Sequence, residues 1–162
     1  MNGIYVIMGG NIGNRTEQLR RCRFEIEKRI GSVQSASAVY ETAAWGKEDE
    51  APYLNQVLFI HSEKQPAEVL DLSLQIEKGM GRVRSVKWEA RVVDIDLLFF
   101  NNEIIDLPDL KIPHPRLASR RFVLVPLNEI APELVHPVLG KTIHQLLNEC
   151  NDTLEVTIYK EV

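Results

Sequence analysis

Two carboxylates interrupt the apolar segment RVVDIDLLFF, which covers residues 91–100. Its length and its β-branched and aromatic residues predict a buried strand. Because an unpaired charge in such a strand is costly, Asp94 and Asp96 need a partner of opposite charge. Side chains alternate between the two faces of a strand, so both carboxylates project from one face, about 7 Å apart at the backbone, and the aliphatic residues beside them face the core.

Two interpretations of this pair stay open from the strand alone, namely a buried ion pair with arginine and a metal site. Mg²⁺ suits the second, because it binds one or two carboxylates and fills its other positions with water and phosphate oxygens. The preceding segment, residues 82–91, carries one acid and four basic residues, which are Arg82, Arg84, Lys87 and Arg91. Metal-binding carboxylates beside phosphate-binding arginines are typical of phosphoryl transfer, so the sequence favours a metal–nucleotide site.

The length of 162 residues fits one compact domain over residues 1–162. The formal net charge of −4 argues against a general nucleic-acid-binding protein. The two cysteines, Cys22 and Cys150, predict reduced thiols in a cytoplasmic protein rather than a disulfide framework. No apolar run reaches the length of about 20 residues that predicts a membrane span, and the first residues lack the features of a secretory signal.

Apolar periodicity predicts the secondary structure along the chain. The predicted strands cover residues 4–8, 33–42, 53–62, 91–100 and 154–159, with a further strand pair within 103–112. The predicted helices cover residues 16–30, 66–79 and about 141–148, whereas Pro113, Pro115 and Pro126 predict extended or irregular chain. This order predicts an α+β fold, a ferredoxin-like βαββαβ sandwich with an added hairpin and C-terminal elements, whose helices pack on one face of a mainly antiparallel sheet.

Six segments distributed over nearly the whole chain carry a family resemblance. In chain order they are GGN, YETAAWG, YLNQV, IEKGMGRVR, KWEARVVDIDLL and IPHPRLASRRFVLVPLNEIAPEL. Together they resemble the 6-hydroxymethyl-7,8-dihydropterin pyrophosphokinase family of folate biosynthesis, in whose signature Arg91, Asp94 and Asp96 have matching positions. Two residues depart from the family pattern, because Glu89 stands where Gly or Ala is usual and Ala44 where Pro is frequent.

This resemblance implies an ATP-dependent diphosphotransferase, which transfers diphosphate from ATP to the hydroxymethyl group of 6-hydroxymethyl-7,8-dihydropterin and releases AMP. It implies that Asp94 and Asp96 bind two Mg²⁺ ions and act in catalysis with Arg82 and Arg91. The pterin-binding positions that it implies are Thr42, Ala43, Trp45, Tyr53, Asn55 and Phe122. The ATP-binding positions that it implies are Glu77, Arg84, Trp88, Lys111, Ile112, His114 and Arg120.

Several of these positions also have an ordinary structural interpretation. Tyr53 and Phe122 fit the pattern of core aromatic residues, and Glu77 that of a helix-surface acid. Taken singly, Arg84 fits a solvated charge in a basic loop. The turn GGNIGN lacks the Lys-Ser/Thr pair of a phosphate-binding P-loop, so we expect it to line the site at most.

The competing functional hypothesis is a ferredoxin-like module that binds nucleic acid or nucleotide without catalysis and stacks bases on sheet aromatics. The negative net charge and the carboxylate pair count against it, because both repel a phosphate backbone. We expect ATP and the pterin as small-molecule partners, and we expect no nucleic acid, membrane or obligate protein partner.

Overall fold

The computed structural model describes residues 1–43, 51–81 and 92–160. Within these ranges the eight strands, β1 to β8 in chain order, are Asn2–Gly10, Ser32–Ala36, Tyr40–Thr42, Tyr53–Ser62, Asp94–Phe100, Ile105–Leu107, Leu110–Ile112 and Val156–Ile158. The four α-helices of the same ranges, α1 to α4, are Arg15–Arg29, Pro66–Gly79, Arg121–Ile130 and Ile143–Glu149, and a short 3₁₀-helix covers Leu117–Ser119. None of the helices in these ranges is long and apolar enough to cross a bilayer.

Local sequence signals account for where the helices begin. The side chain of Asn14 accepts a hydrogen bond from the backbone N–H of Glu17 at 3.2 Å and so caps α1. Pro66 is the first residue of α2, where its missing N–H costs nothing. Thr142 and Gln145 form a capping box at the start of α4. The helices predicted over residues 16–30, 66–79 and about 141–148 are therefore confirmed within a few residues at each end.

Six of the described strands form one antiparallel sheet in the order β5-β1-β4-β3-β8, with β2 pairing along another part of β4. β1 lies between β4 and β5, and β5 is an edge strand. The strands β6 and β7 form a separate hairpin, which confirms the strand pair predicted within residues 103–112. The sheet therefore presents two faces that both need cover from water.

The single strand predicted over residues 33–42 is wrong, because the chain leaves the sheet after Ala36 and returns at Tyr40. At this break the hydroxyl of Ser37 accepts the backbone N–H of Val57 at 3.0 Å. A side-chain oxygen thus fills the role that a strand carbonyl would otherwise have, so the break leaves no buried donor unsatisfied there. The result is two short strands, β2 and β3, against one long partner.

Helices cover both faces of the sheet, so the prediction that they share one face is wrong. On the first face, Ile4, Val6 and Met8 of β1 belong to a core that also contains α1 and α2 residues. On the second face, Ile7 of β1 belongs to a separate core with α3 and α4 residues. Successive residues of β1 point to opposite faces of the sheet, and apolar residues of the strand are buried on both faces. The burial on each face contributes to stability through the hydrophobic effect.

The helix α3 lies on the second face although Pro126 is inside it, and the prediction of irregular chain at this proline is wrong. A proline in a helix removes one backbone hydrogen bond. Here the loss is offset by packing, because Val123, Leu124 and Leu127 of the same helix are buried in the second core. Glu129 fastens α3 to the sheet, since it accepts the hydroxyl of Tyr40 at 2.6 Å.

Candidate active site

A cleft of about 690 Å³ lies at the end of the second face where β1 stops and β4 and β5 begin. Its lining comes from the sheet, from α3 and the chain just before it, and from the C-terminal segment. The lining residues are Ile7, Gly9, Thr42, Ala43, Tyr53, Asn55, Asp94, Asp96, Arg116, Ser119, Arg120, Phe122, Asp152 and Leu154. The cleft therefore combines carboxylates, guanidinium groups and aromatic rings.

The two aspartates of β5 line this cleft together. In the sheet register Asp94 lies opposite Gly9 and Asp96 opposite Ile7, so both project from the second face. Ile95 and Leu97 point to the other side and are buried in the first core. The shared face predicted for the two carboxylates is confirmed, and it follows from the two-residue period of a strand.

The carboxylate pair has the donor chemistry that Mg²⁺ prefers, because both ligands are hard oxygens on one face. Within residues 1–43, 51–81 and 92–160, no three His, Cys, Asp or Glu side chains form a cluster that could hold a metal ion. With two carboxylate ligands, Mg²⁺ ordinarily fills its other coordination positions with water or phosphate oxygens. This arrangement fits Mg²⁺ in the presence of a nucleotide better than a closed structural metal site.

Glu77 lies behind the aspartates rather than beside them. It is 3% exposed, and its Oε2 accepts the backbone N–H of Ile95 at 2.7 Å. Because β5 is an edge strand, this N–H lies at the unpaired edge of the sheet, between the two aspartates in sequence. The interpretation of Glu77 as a helix-surface acid is therefore wrong. Glu77 is not among the cleft-lining residues, and its contact with a nucleotide stays a prediction.

Asn55 forms part of the cleft floor because its neighbour across the sheet is a glycine. Gly9 pairs with Asn55 on one side and with Asp94 on the other. A Cβ atom built on Gly9 would lie 1.9 Å from Oδ1 of Asn55 and 3.0 Å from the carbonyl oxygen of Leu54. The Asn55 carboxamide therefore lies directly over Gly9. Any larger residue at position 9 would occupy the space that this carboxamide fills.

Thr42 contributes a buried hydroxyl to the same cleft. Its Oγ1 has no hydrogen-bond partner among the described residues. Buried polar atoms usually have a partner in the protein or in ordered water. A hydroxyl in this state is available to a polar atom of a bound molecule, which agrees with its predicted role in binding.

Two arginines bring positive charge to the cleft. Arg116 and Arg120 both line it, and the guanidinium carbon of Arg120 lies 5.6 Å from the ring centre of Phe122. At this distance a cation–π interaction orients the arginine over the ring. Burial lowers the pKa of Arg120, Arg116 lowers it further, and Asp96 opposes both, but the group stays a cation at neutral pH.

His114 lies close enough to Asp96 for the carboxylate to affect its titration. Burial lowers the pKa of His114, Asp96 raises it, and Arg120 and Arg116 lower it again. The Nδ1 atom of His114 accepts the backbone N–H of Arg116 at 3.2 Å. The ring is therefore neutral near pH 7, with its proton on Nε2.

Of the predicted ATP-binding residues that the structure describes, only Arg120 lines the cleft, and Lys111 and Ile112 lie outside its lining as Glu77 and His114 do. Lys111 is exposed on β7 and pairs with Asp106 on β6, and burial of Ile112 fixes the same hairpin. Five other predicted site positions lie outside the described residues; these are Arg82, Arg84, Trp88, Arg91 and Trp45. The residues that depart from the family pattern, Ala44 and Glu89, and the basic Lys87 lie outside them as well. The site roles of Lys111, Ile112, Arg82, Arg84, Trp88, Arg91 and Trp45 stay predictions.

The sequence predictions missed the contribution of the C-terminal segment. Asp152 lines the cleft, and its two oxygens accept the backbone N–H groups of Arg121 at 3.0 Å and Leu154 at 2.9 Å. This carboxylate fixes the start of α3, next to Phe122, and turns the tail along the cleft wall. No local pattern signals such a role, since the residues it joins are 31 apart in sequence.

Comparison with known proteins identifies relatives along most of the chain. A family model described as 7,8-dihydro-6-hydroxymethylpterin-pyrophosphokinase (HPPK) matches residues 5–132. A 2-amino-4-hydroxy-6-hydroxymethyldihydropteridine pyrophosphokinase from Bacillus subtilis is 41% identical over 136 residues, which are 83% of this chain and 81% of the relative. The protein of the same name from Aquifex aeolicus is 35% identical over 149 residues, which are 92% of each chain.

Solved structures share the fold at lower sequence identity. The crystal structure of wild-type Plasmodium falciparum HPPK-DHPS with SDX-DHP has a TM-score of 0.76 and 21% identity, with 92% of this chain and 43% of that chain covered. The same protein with pteroate has a TM-score of 0.75 and 19% identity, with 91% and 42% covered. This chain thus spans less than half of each solved chain, and at such identities the likeness shows the fold alone.

Proposed function

Since this chain belongs to the 7,8-dihydro-6-hydroxymethylpterin-pyrophosphokinase family, we propose that the cleft on the second face of its sheet is the active site. The chain is an ATP-dependent diphosphotransferase of folate biosynthesis, which transfers diphosphate to the hydroxymethyl group of 6-hydroxymethyl-7,8-dihydropterin. The hydroxymethyl oxygen forms a bond to the β-phosphorus of ATP. The bond from this phosphorus to the oxygen shared with the α-phosphate breaks, AMP leaves with that oxygen, and the proton of the hydroxymethyl group is released to solvent.

The observation that carries the proposed site is the meeting of two chemically different sets of residues. The predicted metal ligands, Asp94 and Asp96, line the same cleft as five predicted pterin-binding residues, which are Thr42, Ala43, Tyr53, Asn55 and Phe122. The two sets come from β5, from β3 and β4, and from α3. Their proximity is what a direct transfer between two bound substrates requires, because positioning supplies much of the rate.

For the ATP side, we infer that Asp94 and Asp96 hold two Mg²⁺ ions against the triphosphate. Mg²⁺ supplies positive charge that offsets the charge on the transferred diphosphate. Arg116 and Arg120 add fixed cationic groups on the same cleft. His114, neutral with a proton on Nε2, adds a hydrogen-bond donor for a phosphate oxygen. Orientation and electrostatic stabilisation thus carry the transfer on this side.

For the pterin side, Tyr53 and Phe122 offer aromatic faces between which a flat heteroaromatic ring stacks. The carboxamide of Asn55, lying across Gly9, offers both a donor and an acceptor to the edge of the ring. The buried hydroxyl of Thr42 offers one more polar contact. Such a combination favours one orientation of the pterin, which brings its hydroxymethyl group toward the aspartates.

The topology supports a ferredoxin-like core in which β2 and β3 together take the place of one strand beside β4. In this proposal the hairpin β6–β7, the helices α3 and α4 and the strand β8 are additions to that core. Family membership replaces the competing hypothesis of a module without catalysis. A single domain over residues 1–162, a cytoplasmic location and independence from an obligate protein partner stay predictions.

A kinetic comparison of two phenylalanines tests the site. Phe122→Ala removes one proposed stacking face, so we expect the KM for the pterin to rise by about tenfold or more while the KM for ATP changes little. Phe24→Ala is the matched control, because Phe24 is 63% exposed on α1, away from the cleft. AMP formation with ATP, Mg²⁺ and the pterin is the measurement, and an unchanged pterin KM in Phe122→Ala contradicts the proposed site.

A further inference from the structure

One arginine at the start of α1 contacts both β3 and the residue that directly precedes β4. The Nη1 of Arg15 donates to Oε2 of Glu41 at 2.9 Å and to the carbonyl oxygen of Pro52 at 2.8 Å. Glu41 directly precedes Thr42, and Pro52 directly precedes Tyr53. A single guanidinium therefore holds the residues adjacent to two of the proposed pterin contacts.

Neighbouring contacts strengthen this junction. Asn11, from the same turn between β1 and α1, donates from Nδ2 to the carbonyl oxygen of Ala51 at 3.0 Å. The guanidinium of Arg15 also lies 5.2 Å from the ring centre of Tyr159, whose N–H donates to the carbonyl oxygen of Val39 at 2.8 Å. The turn thus fixes two successive carbonyls before β4 and connects them with the C-terminal segment.

The ion pair of Arg15 differs from the other arginine–glutamate pairs of α1. The Arg15 side chain is 20% exposed, whereas the pair of Arg23 with Glu27 has a separation of 3.9 Å and side chains more than 40% exposed. Exposed pairs contribute little, because water screens them and both side chains lose conformational freedom. A partly buried guanidinium with two oxygen acceptors is held in one orientation and constrains the backbone that it contacts.

Thr42 and Tyr53 are the last pair of the β3–β4 ladder, next to the cleft. We propose that Arg15 is a positioning residue for the pterin, which keeps this end of the ladder in place by holding Glu41 and Pro52 together. This inference rests on the proposed pterin site. It gives the GGNIGN turn and the arginine that follows it a defined role in substrate binding without any contact to phosphate. A lysine cannot replace this arginine fully, because an ammonium group lacks the planar surface with which the guanidinium lies over the ring of Tyr159.

The test compares the binding of two ligands to variants of the full chain. Arg15→Met removes the contacts, and we expect the Kd for 6-hydroxymethyl-7,8-dihydropterin to rise by about tenfold, while the Kd for a non-hydrolysable ATP analogue with Mg²⁺ stays unchanged. Arg15→Lys restores part of the pterin affinity, and Arg23→Met, the control on the same helix, has wild-type affinity for both ligands. Calorimetry measures both constants, and thermal unfolding shows that each variant is folded.

Glu41→Gln provides a second, milder variant, which keeps an oxygen acceptor and removes the charge. If Arg15 acts through Glu41, the loss of pterin affinity in the double variant is smaller than the two single losses combined. If Arg15→Met binds the pterin with wild-type affinity, this inference fails while the proposed site stands. The same holds if Arg15→Met loses affinity equally for both ligands, because that result marks a purely structural role. A wild-type chain that binds no pterin overturns the proposed site and this inference with it.

Discussion

The two faces of the central sheet consist of alternate residues of the same strands, yet only one of them carries the candidate active site. The first face is closed, because α1 and α2 cover Val6 and Met8 of β1 and Ile95 of β5 with a continuous core. On the second face, α3 and α4 cover the middle of the strands and leave one end open as the cleft. Stability and binding therefore depend on neighbouring residues of one strand that point in opposite directions.

Chemistry also changes along the second face itself. Away from the cleft, the ring of Tyr5 stacks on Phe59 at 4.5 Å and meets Phe99 edge-on at 6.2 Å. Gly9 and Asn55 lie on the same face at the other end of the same two strands, β1 and β4, and they line the cleft. The cleft thus begins where apolar packing against α3 stops, and its polar groups do not weaken the core beneath that helix.

The largest expected effect comes from Asp96→Asn, which tests the open face. The amide is nearly the same size as the carboxylate but lacks the charge that Mg²⁺ binding requires, so we expect diphosphate transfer to fall on the order of 10³-fold or more. Because Asp96 is exposed, we expect the unfolding midpoint to stay unchanged. The AMP-formation assay and thermal unfolding check both, and Asp109→Asn, in an exposed turn, serves as the control. Full AMP release by Asp96→Asn would break the assignment.

Leu97, which directly follows Asp96 in β5, tests the closed first face. Leu97→Ala leaves a cavity in the first core, and we expect the free energy of unfolding to fall by about 2–5 kcal/mol. Urea unfolding measures this loss, and Leu107→Ala, on the exposed hairpin strand β6, should lose far less. We expect the folded fraction of Leu97→Ala to keep most of its activity. Activity that falls as far as in Asp96→Asn would mean that the two faces are not separable.

Gly9→Ala tests the floor of the cleft. The added methyl group occupies the position of the Asn55 side chain, so we expect the KM for the pterin to rise by about tenfold as the carboxamide is displaced. Gly79→Ala is the matched control, because nothing lies within 4 Å of the added atom at the end of α2. Steady-state kinetics with varied pterin measures the change. Equal pterin KM values for the two variants would show that Asn55 is not held by Gly9.

The smallest expected effect concerns the covered part of the second face and depends on pH. Nδ1 of His136 accepts the backbone N–H groups of Val138 at 3.2 Å and Leu139 at 3.1 Å, and burial lowers the pKa of this histidine. The unfolded chain, in which the pKa is about 6.5, then binds more protons than the folded one, so the stabilising contribution is complete above that pH and decreases as the pH falls below it.

His136→Asn isolates this contribution, because the asparagine oxygen can accept the same hydrogen bonds but does not titrate. We expect the free energy of unfolding of the wild type, relative to this variant, to decrease between pH 7.5 and pH 5.5. Asn102→Ala, in the exposed turn after β5, is the control and keeps the wild-type pH dependence. Urea unfolding at both pH values gives the comparison, and parallel pH profiles for wild type and His136→Asn contradict the prediction.

Several features of this protein follow from the sequence alone. The two-residue period of RVVDIDLLFF determines that Asp94 and Asp96 share a face, because side-chain alternation is a local property of any strand. The starts of α1 and α2 follow from Asn14 and Pro66 in the same way, since caps act within one helical turn. The ordered family segments also indicate the pterin and the nucleotide without any knowledge of tertiary contacts.

Only the tertiary structure decided which groups meet. Pro126 lies inside a helix, Glu77 is buried behind β5, and Asp152 joins the tail to the start of α3, although local rules predict a different outcome for the first two and nothing for the third. Each depends on contacts between residues distant in sequence, whose packing and hydrogen bonds outweigh local propensity. The sequence therefore determined the faces of the strands, and the packing of α3, α4 and the tail determined which end of one face stays open.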